Sequence, residues 1–311
     1  MIKLKWDGTR ISESFELPGG WVFFCFRQGE EPLWCGITPN LAQRLNFIRK
    51  KAEIDTRFAE VAALADSLDV ESQERSVDAL IRLKIFLGKN SVPHQQMMQP
   101  SRDYAYLALD ARRFPFVTLK DDTNDHWTYA GPWRGRFLLY DVMDSLGRIL
   151  KLPYCETENY PCEKLDQGIC KGWCLALENG EDAELKKLDT LLNEAYLHPQ
   201  NGILEMVAQE RDKYFDDLDF AKADLLDEEI ERLQSYRDWL NFLYVTKSLS
   251  WEEEDFGVEN GLLRWCKHQG MRHDFPREET PYRENEMLAV NLNDLDERRI
   301  LYEYHVKHRK G

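Results

Sequence analysis

No stretch of this chain approaches the ~18 consecutive apolar residues of a membrane-spanning helix, so no transmembrane segment is expected. The opening residues, Met1-Ile2-Lys3-Leu4-Lys5-Trp6-Asp7, lack the apolar core of a secretory signal. The expectation is a cytoplasmic protein without a membrane partner, in a compartment where grouped cysteines serve as metal ligands more often than as disulfides. Internal repeats and low-complexity tracts are missing too, which argues against solenoids and arrays. Positive charge is scarce: 41 Lys and Arg face 56 Asp and Glu, a net charge of −15. That shortage is local. Residues 1–100 and 101–175 are close to neutral, while 176–311 hold about 14 excess negative charges. The acidic part repels nucleic acid at long range, so any contact with DNA falls to the N-terminal part.

At 311 residues, with 43% hydrophobic and 12% aromatic content, the chain can bury real cores in two or three modest domains. Trp21-Val22-Phe23-Phe24-Cys25-Phe26 reads as a buried strand, Gly29-Glu30-Glu31-Pro32 as a turn, and Leu33-Trp34-Cys35-Gly36 as a second strand. Thr38 is the expected N-cap of a following helix, with Pro39 at its first position and Leu41, Leu45 and Ile48 on its apolar face. Residues 51–88 read as helix broken around Asp69–Glu74. Residues 104–109 and 114–119 alternate as strands, and Thr128-Tyr129-Ala130-Gly131-Pro132 reads as a turn into a helix near 138–150. Residues 183–244 read as helix interrupted at Phe215–Phe220, giving a two-helix hairpin whose apolar stripe includes Phe220, Ala223, Leu226, Ile230 and Leu233. Residues 245–311 combine short strand-like pieces with a helical end and suggest no function. The fold class expected is α+β, divided at 1–100, 101–182, 183–244 and 245–311.

The strongest chemical signal is a run of four cysteines, Cys155, Cys162, Cys170 and Cys174, spaced C-x6-C-x7-C-x3-C in a loop-rich segment. Thiolates bind soft metals as a set, so a structural metal or cluster site is expected here. Spacing alone leaves the metal open. Zinc sites favour close pairs, and only Cys170 and Cys174 are that close. Cys25, Cys35 and Cys266 are scattered.

In order along the chain stand Pro18-Gly19, the hairpin, Asn40-Leu41-x-x-Arg44-Leu45, Tyr129-Ala130-Gly131-Pro132, the four cysteines with Pro161-Cys162 and Gly168-Ile169-Cys170, and Leu218-Asp219-Phe220-Ala221-Lys222-Ala223. This series, over roughly residues 15–240, resembles the N-terminal half of UvrC, the excinuclease subunit of bacterial nucleotide excision repair. The resemblance implies a GIY-YIG nuclease-like domain, a 4Fe-4S cluster on Cys155, Cys162, Cys170 and Cys174 with zinc as the alternative, and a UVR hairpin that docks on UvrB or a UvrB-like protein through Leu218, Phe220, Ala223, Leu226 and Ile230. The chain is expected to be a short form, broadly like the UvrC homologue Cho but with the hairpin retained.

Departures from the family pattern bear on catalysis. A GIY-YIG enzyme needs tyrosine hydroxyls, an arginine and a glutamate that holds Mg2+ or Mn2+. Here Phe23 and Trp34 stand at the tyrosine positions, Arg44 matches the arginine, and the helix expected to carry the glutamate offers only Asp78. Phe and Trp have no O–H with which to move a proton. Pro93-His94-Gln95-Gln96 replaces the family's downstream asparagine, and Leu226-Asp227-Glu228 puts acid where the hairpin of the family has a basic residue. The expectation is a UvrC-like accessory or partner-binding protein without nuclease activity. Two alternatives stay open: an active short endonuclease working through Arg44, and a metal-stabilised adaptor outside DNA repair.

Overall fold

The computed structural model describes residues 1–8, 17–96, 98, 104–155, 162–198, 202–276 and 288–309. Two compact units emerge. One is built from Met1–Arg102, Leu249–Arg277 and Asp296–Gly311, the other from Asp103–Ser248 and Glu278–Leu295. Residues 245–311 therefore contribute to both units. Helix and strand are mixed throughout, as an α+β chain requires.

The first unit begins with β1 (Ile2–Lys5) and the hairpin of β2 (Gly19–Gln28) and β3 (Glu31–Asn40). Gly29 takes the first turn position at φ 61°, where a positive φ suits the twist of the flanking strands. Helix α1 (Leu41–Ala52) starts later than a Thr38 cap would have it. Its N-cap is Asn40, whose side chain accepts from the Gln43 N–H at 3.0 Å. Thr38 and Pro39 stay in the strand, and the Thr38 hydroxyl is bonded to the Asn40 backbone instead.

After α2 (Thr56–Leu64), the expected helix break at Asp69–Glu74 falls in a strand, β4 (Ser67–Gln73). It enters the sheet between β1 and β2, giving the order β1-β4-β2-β3 with every neighbour antiparallel. The Asp69 side chain is buried there and ion-paired to Arg27 of β2, so a polar residue occupies a central strand without an unpaired charge. Helix α3 (Ser76–Lys89) follows.

Strand alternation gives this sheet two different faces. Val22, Phe24, Phe26 and Trp34 pack with Leu41, Ile48, Phe58 and Val61 of α1 and α2. Phe23, Cys25 and Cys35 point the other way, against Phe86 of α3. The rest of α3 is covered by returning chain: β8 (Trp251–Glu252), β9 (Phe256–Glu259), β10 (Leu262–His268) and β11 (Met271–Asp274) form an antiparallel sheet, and α10 (Leu295–Arg309) completes the cover. Val77, Leu80, Ile81 and Ile85 share one core with Leu249, Trp251, Phe256, Leu263 and Leu301. Lys84 of α3 and Glu297 of α10 are ion-paired at 2.7 Å, both largely shielded from water. At the β3 edge, Gln95 acts as a substitute strand. Its Oε1 accepts from the Cys35 N–H at 3.2 Å and its Nε2 donates to the Cys35 carbonyl at 3.1 Å, while the His94 N–H bonds the Leu33 carbonyl at 3.0 Å.

The second unit holds a sheet ordered β12-β7-β5-β6, from β5 (Tyr104–Leu109), β6 (Val117–Lys120), β7 (Thr128–Arg134) and β12 (Leu288–Ala289). The Thr128–Pro132 run read as a turn is thus part of a strand, and its Gly131 explains why. A Cβ on Gly131 would lie 3.2 Å from the Tyr106 Cα, so only glycine lets β7 approach β5 this closely. Helix α4 (Arg136–Leu150) precedes the short α5 (Glu163–Asp166) and α6 (Trp173–Glu178). Then α7 (Asp182–Leu192) runs into a π-helical turn at Asn193–Leu197, followed by α8 (Ile203–Asp216) and the long α9 (Phe220–Thr246). Helix α9 is fixed to the unit by polar bonds from aromatic residues: Tyr236 Oη donates to the Tyr196 carbonyl at 2.7 Å and Trp239 Nε1 to the Pro132 carbonyl at 3.1 Å. Among the described residues no helix is long and apolar enough to cross a membrane.

Candidate functional site

Three places carry the residues singled out by the sequence. The first is the sheet face above α1. The Arg44 guanidinium lies 5.4 Å from the Trp34 ring centroid and 5.3 Å from that of Phe47, a cation against two aromatic faces. Phe23 does not join them. It sits on the opposite face, 5.2 Å from Phe86 and under the Arg82 guanidinium. The ring beside Trp34 is that of Phe24, at 5.3 Å, and it also covers Gly36, where a Cβ would fall 2.8 Å from the Phe24 ring. A shift of one residue along a strand exchanges faces, which is why Phe24 rather than Phe23 is the neighbour. Phe26 stacks on Trp34 at 5.7 Å. Phe24 is fully buried and Trp34 only 2% exposed, so this face is a closed aromatic layer.

Asp78 lies on α3, on the other side of that sheet, and its carboxylate is engaged. It accepts from the Arg75 backbone N–H at 3.0 Å, closing the helix N-terminus, and it pairs with the Arg75 guanidinium at 2.7 Å. Arg75 also binds Asp255 and lies 3.6 Å from Glu253, both in the covering sheet region. Of the Pro93-His94-Gln95-Gln96 run, Gln95 is taken up by the β3 edge.

The second place is the cysteine segment. All seven cysteines are free thiols. Cys155, Cys170 and Cys174 line a single cavity together with Phe114, Phe116, Trp173 and Tyr196. Cys162 stands at the start of α5 and is felt electrostatically by Cys155; Pro161 lies outside the described residues. Burial raises the Cys155 thiol pKa first, the Lys164 ammonium opposes it, and the neighbouring Cys170 and Cys162 raise it further. Cys174 is likewise raised, by burial and then by Cys170. Donors point at two of the sulfurs: the Gly172 N–H reaches Cys170 Sγ at 3.2 Å, and Lys164 Nζ lies 3.8 Å from Cys155 Sγ.

Trp173 is 5% exposed, and its indole Nε1 is buried without a hydrogen-bond partner among the described residues. Thiols with N–H donors around them and aromatic walls are a donor set suited to a soft metal or an iron–sulfur group. Among the described residues, no three His, Cys, Asp or Glu side chains are already placed to hold one metal ion. The scattered cysteines differ. Burial raises the Cys25 pKa to about 12 and that of Cys266 to about 11, and pushes Cys35 up as well. Thiols so held are poor nucleophiles and poor ligands.

The third place is the tip between α8 and α9. Leu218 adopts φ 61° and is 73% exposed, an uncommon combination for a branched apolar residue. Asp219 caps α9, accepting from the Lys222 N–H and pairing with its ammonium at 2.6 Å. Phe215 and Phe220 meet at 5.3 Å and both remain about half exposed, with Leu225 exposed one turn further on. Of the five expected partner positions, Leu218 and Phe220 offer surface. Ala223 and Leu226 are buried, as are Ile203 and Val207 of α8, and Ile230 is half-buried, so these hold the two helices together. The acid in Leu226-Asp227-Glu228 has a local use: Asp227 pairs with Arg211 of α8 at 2.8 Å. The sequence reading takes Phe215 only as the start of the interruption and does not single out Leu225.

Among curated proteins the chain is similar to three called UvrABC system protein C. It is 24% identical to that of Aquifex aeolicus (strain VF5) over 179 residues, which cover 56% of this chain and 31% of that protein. With the protein of Methanococcus maripaludis it shares 19% identity over 251 residues, 80% of this chain and 46% of the relative. With that of Prosthecochloris aestuarii it shares 23% over 221 residues, 66% and 35%. The chain thus spans less than half the length of these relatives. No protein-family model matches it. No solved structure matches it either. The similarity supports a UvrC-like relationship.

Proposed function

We propose that this chain is a UvrC-like accessory protein of nucleotide excision repair that binds partners and no longer cuts DNA. The observation that carries this reading is the closed aromatic layer at Phe24, Phe26 and Trp34. A GIY-YIG reaction needs phenolic oxygen at the positions of Phe23 and Trp34 to help activate a nucleophile; a carbon ring and an indole stand there, and Trp34 is sealed among Phe24 and Phe26. The engagement of Asp78 by Arg75 supports the same conclusion, since a carboxylate tied into a helix cap is a poor metal ligand. In this reading 1–100 is a degenerate GIY-YIG-like domain, 101–182 a strand and cysteine module, and 183–244 a UVR-like hairpin.

Cys155, Cys162, Cys170 and Cys174 would hold a 4Fe-4S cluster, or zinc in its place. Such a group, when bound, cross-links the turns of the 155–174 segment and adds its binding free energy to folding. The exposed Phe215, Leu218 and Phe220 would form the contact with UvrB or a UvrB-like protein, and the neutral N-terminal part any contact with DNA.

The reading is tested on damaged duplex with Mg2+ or Mn2+, with Arg44→Ala as control, beside a pull-down with UvrB at low salt. The expected result is no incision above background together with retention of UvrB. Incision that disappears in Arg44→Ala would establish the active-endonuclease alternative. Failure to retain UvrB would remove the repair assignment and favour an adaptor outside it.

A further inference from the structure

Helix α4 carries apolar residues on two sides. Leu139, Val142, Met143, Leu146 and Leu150 are buried and hold it in the unit. Phe137 and Tyr140 face water instead, at 86% and 43% exposure. Three residues apart on a helix, they share one face. Arg134 stands just before them, at the exposed end of β7. One apolar stripe is enough to seat a helix, so a second stripe of rings in water has no part in the core.

The chain beyond the helix extends this face. After Lys151, at φ 51°, it turns back along α4, and the Leu152 N–H donates to the Gly147 carbonyl at 2.7 Å. A Cβ on Gly147 would fall 2.6 Å from the Leu152 carbonyl oxygen, so only glycine permits this return. The return sets Tyr154 edge-on to Tyr140 with ring centroids 6.5 Å apart, and Tyr154 too is 43% exposed. The Lys171 N–H donates to the Lys151 carbonyl at 3.1 Å, which places two exposed lysines together at the end of the helix. Arg136 and Arg148 of α4 are taken by Asp121 and by Glu210 and Glu229. Among the described residues, Arg134, Lys151 and Lys171 pair with no carboxylate.

Together these groups make a strip roughly 20 Å long, the length of α4, with rings along it and cations at both ends. A nucleotide offers a flat base to a ring and a phosphate to a cation, so one strand can use both at once. A duplex hides its base faces, and exposed rings can stack only on unpaired bases. An acidic peptide would meet the cations and leave the rings wet, and an apolar one would strand the cations. We propose that Arg134, Phe137, Tyr140, Tyr154, Lys151 and Lys171 bind single-stranded nucleic acid, the rings stacking on bases and the cations meeting phosphates. The inference goes beyond the function proposed above, which seats DNA on the N-terminal part. It depends neither on the group the cysteines hold nor on UvrB, so incision or failed UvrB retention would leave it standing.

The test is fluorescence anisotropy of the full chain with a labelled single strand of about 12 nucleotides and with the matching duplex, at several salt concentrations. The wild type is expected to prefer the single strand about tenfold, and Phe137→Ala and Tyr140→Ala should each weaken that binding about tenfold. Replacing Lys151 and Lys171 together by glutamine should flatten the slope of log affinity against log salt by about 1.4, two phosphate contacts at ~0.7 each. Asp144 is exposed four residues beyond Tyr140 on the same face, so Asp144→Asn should tighten binding by removing a carboxylate from the border. Tyr244→Ala, at an exposed ring of α9 outside the strip, should change nothing.

Unchanged single-strand affinity in both alanine variants, with melting temperatures equal to the wild type, would overturn the proposal. So would a wild type that takes up no single strand at low salt, which would leave the strip to a protein partner. Equal affinity for strand and duplex, insensitive to loss of the rings, would reduce the contact to phosphate alone and reject the stacking role. Should the alanine variants melt early, Phe137→Trp, which keeps a flat ring, is compared with Phe137→Leu, which has none. Tighter binding by the tryptophan variant supports the proposal, and equal binding overturns it.

Discussion

The aromatic face of the first unit and the cysteine cavity of the second have similar walls, rings packed around a few polar atoms. They differ in what those atoms have left to do. On the first face, Phe24, Phe26 and Trp34 fill one another's space, and across the sheet the carboxylate of Asp78 is spent on capping α3 and pairing with Arg75. In the cavity, three thiols share one space, and the Gly172 N–H and the Lys164 ammonium are turned toward sulfur. A surface that has settled into a core gains stability from every group it contains.

That contrast can be broken most severely at the cysteines. Replacing Cys170 and Cys174 together by serine should abolish metal retention and lower the melting temperature of the second unit by on the order of 10 °C, as the loss of several kcal/mol does in a unit of this size. Elemental analysis and calorimetry measure both, and an unchanged metal content with unchanged melting would leave the cavity no different from the aromatic face.

At the aromatic face itself, Trp34→Ala should cost about 3–5 kcal/mol, because it opens a cavity among Phe24, Phe26 and Phe58. Denaturant unfolding reads this directly. A cost below about 1 kcal/mol would mean the face is loose enough to admit a substrate, against the closed layer described above.

The smallest effect is expected at the hairpin tip, where Leu218→Gly relieves the positive φ and should stabilise the chain by about 1 kcal/mol. The same change removes an exposed apolar side chain, so retention of UvrB should weaken as stability rises. Should stability and binding fall together, Leu218 would be a structural residue rather than a contact.

The sequence made some of this legible and concealed the rest for identifiable reasons. The β2–β3 hairpin, the strand at Tyr104–Leu109 and the interruption between α8 and α9 follow from local patterns of apolar residues and turn chemistry. Strand β4 was hidden because Asp69 and Glu71 look like the polar letters of a break, and only the pairing of Asp69 with Arg27 makes a central strand acceptable. Gly131-Pro132 looks like a turn, yet that glycine serves close approach between strands. The exchange of Phe24 for Phe23 beside Trp34 depends on register, which a single sequence does not specify to one residue. At the candidate sites, the grouping of the cysteines was visible from spacing. The donors around them, the Gly172 N–H and the Lys164 ammonium, were not, since such groups become informative only once their surroundings are known.

The cover of α3 by residues 249–276 and α10 also bears on the order in which the chain can fold during synthesis. Domains generally form as units, from the N-terminus onward, as the ribosome releases them. Here the apolar side of α3, with Val77, Leu80, Ile81 and Ile85, meets its partners only after more than half of the chain has followed it. Until Leu249, Phe256, Leu263 and Leu301 emerge, the first unit presents an uncovered hydrophobic helix face, while the intervening second unit is already complete enough to collapse on itself. The vulnerable interval of biosynthesis therefore belongs to the segment made first, and that segment is where a chaperone would be expected to bind.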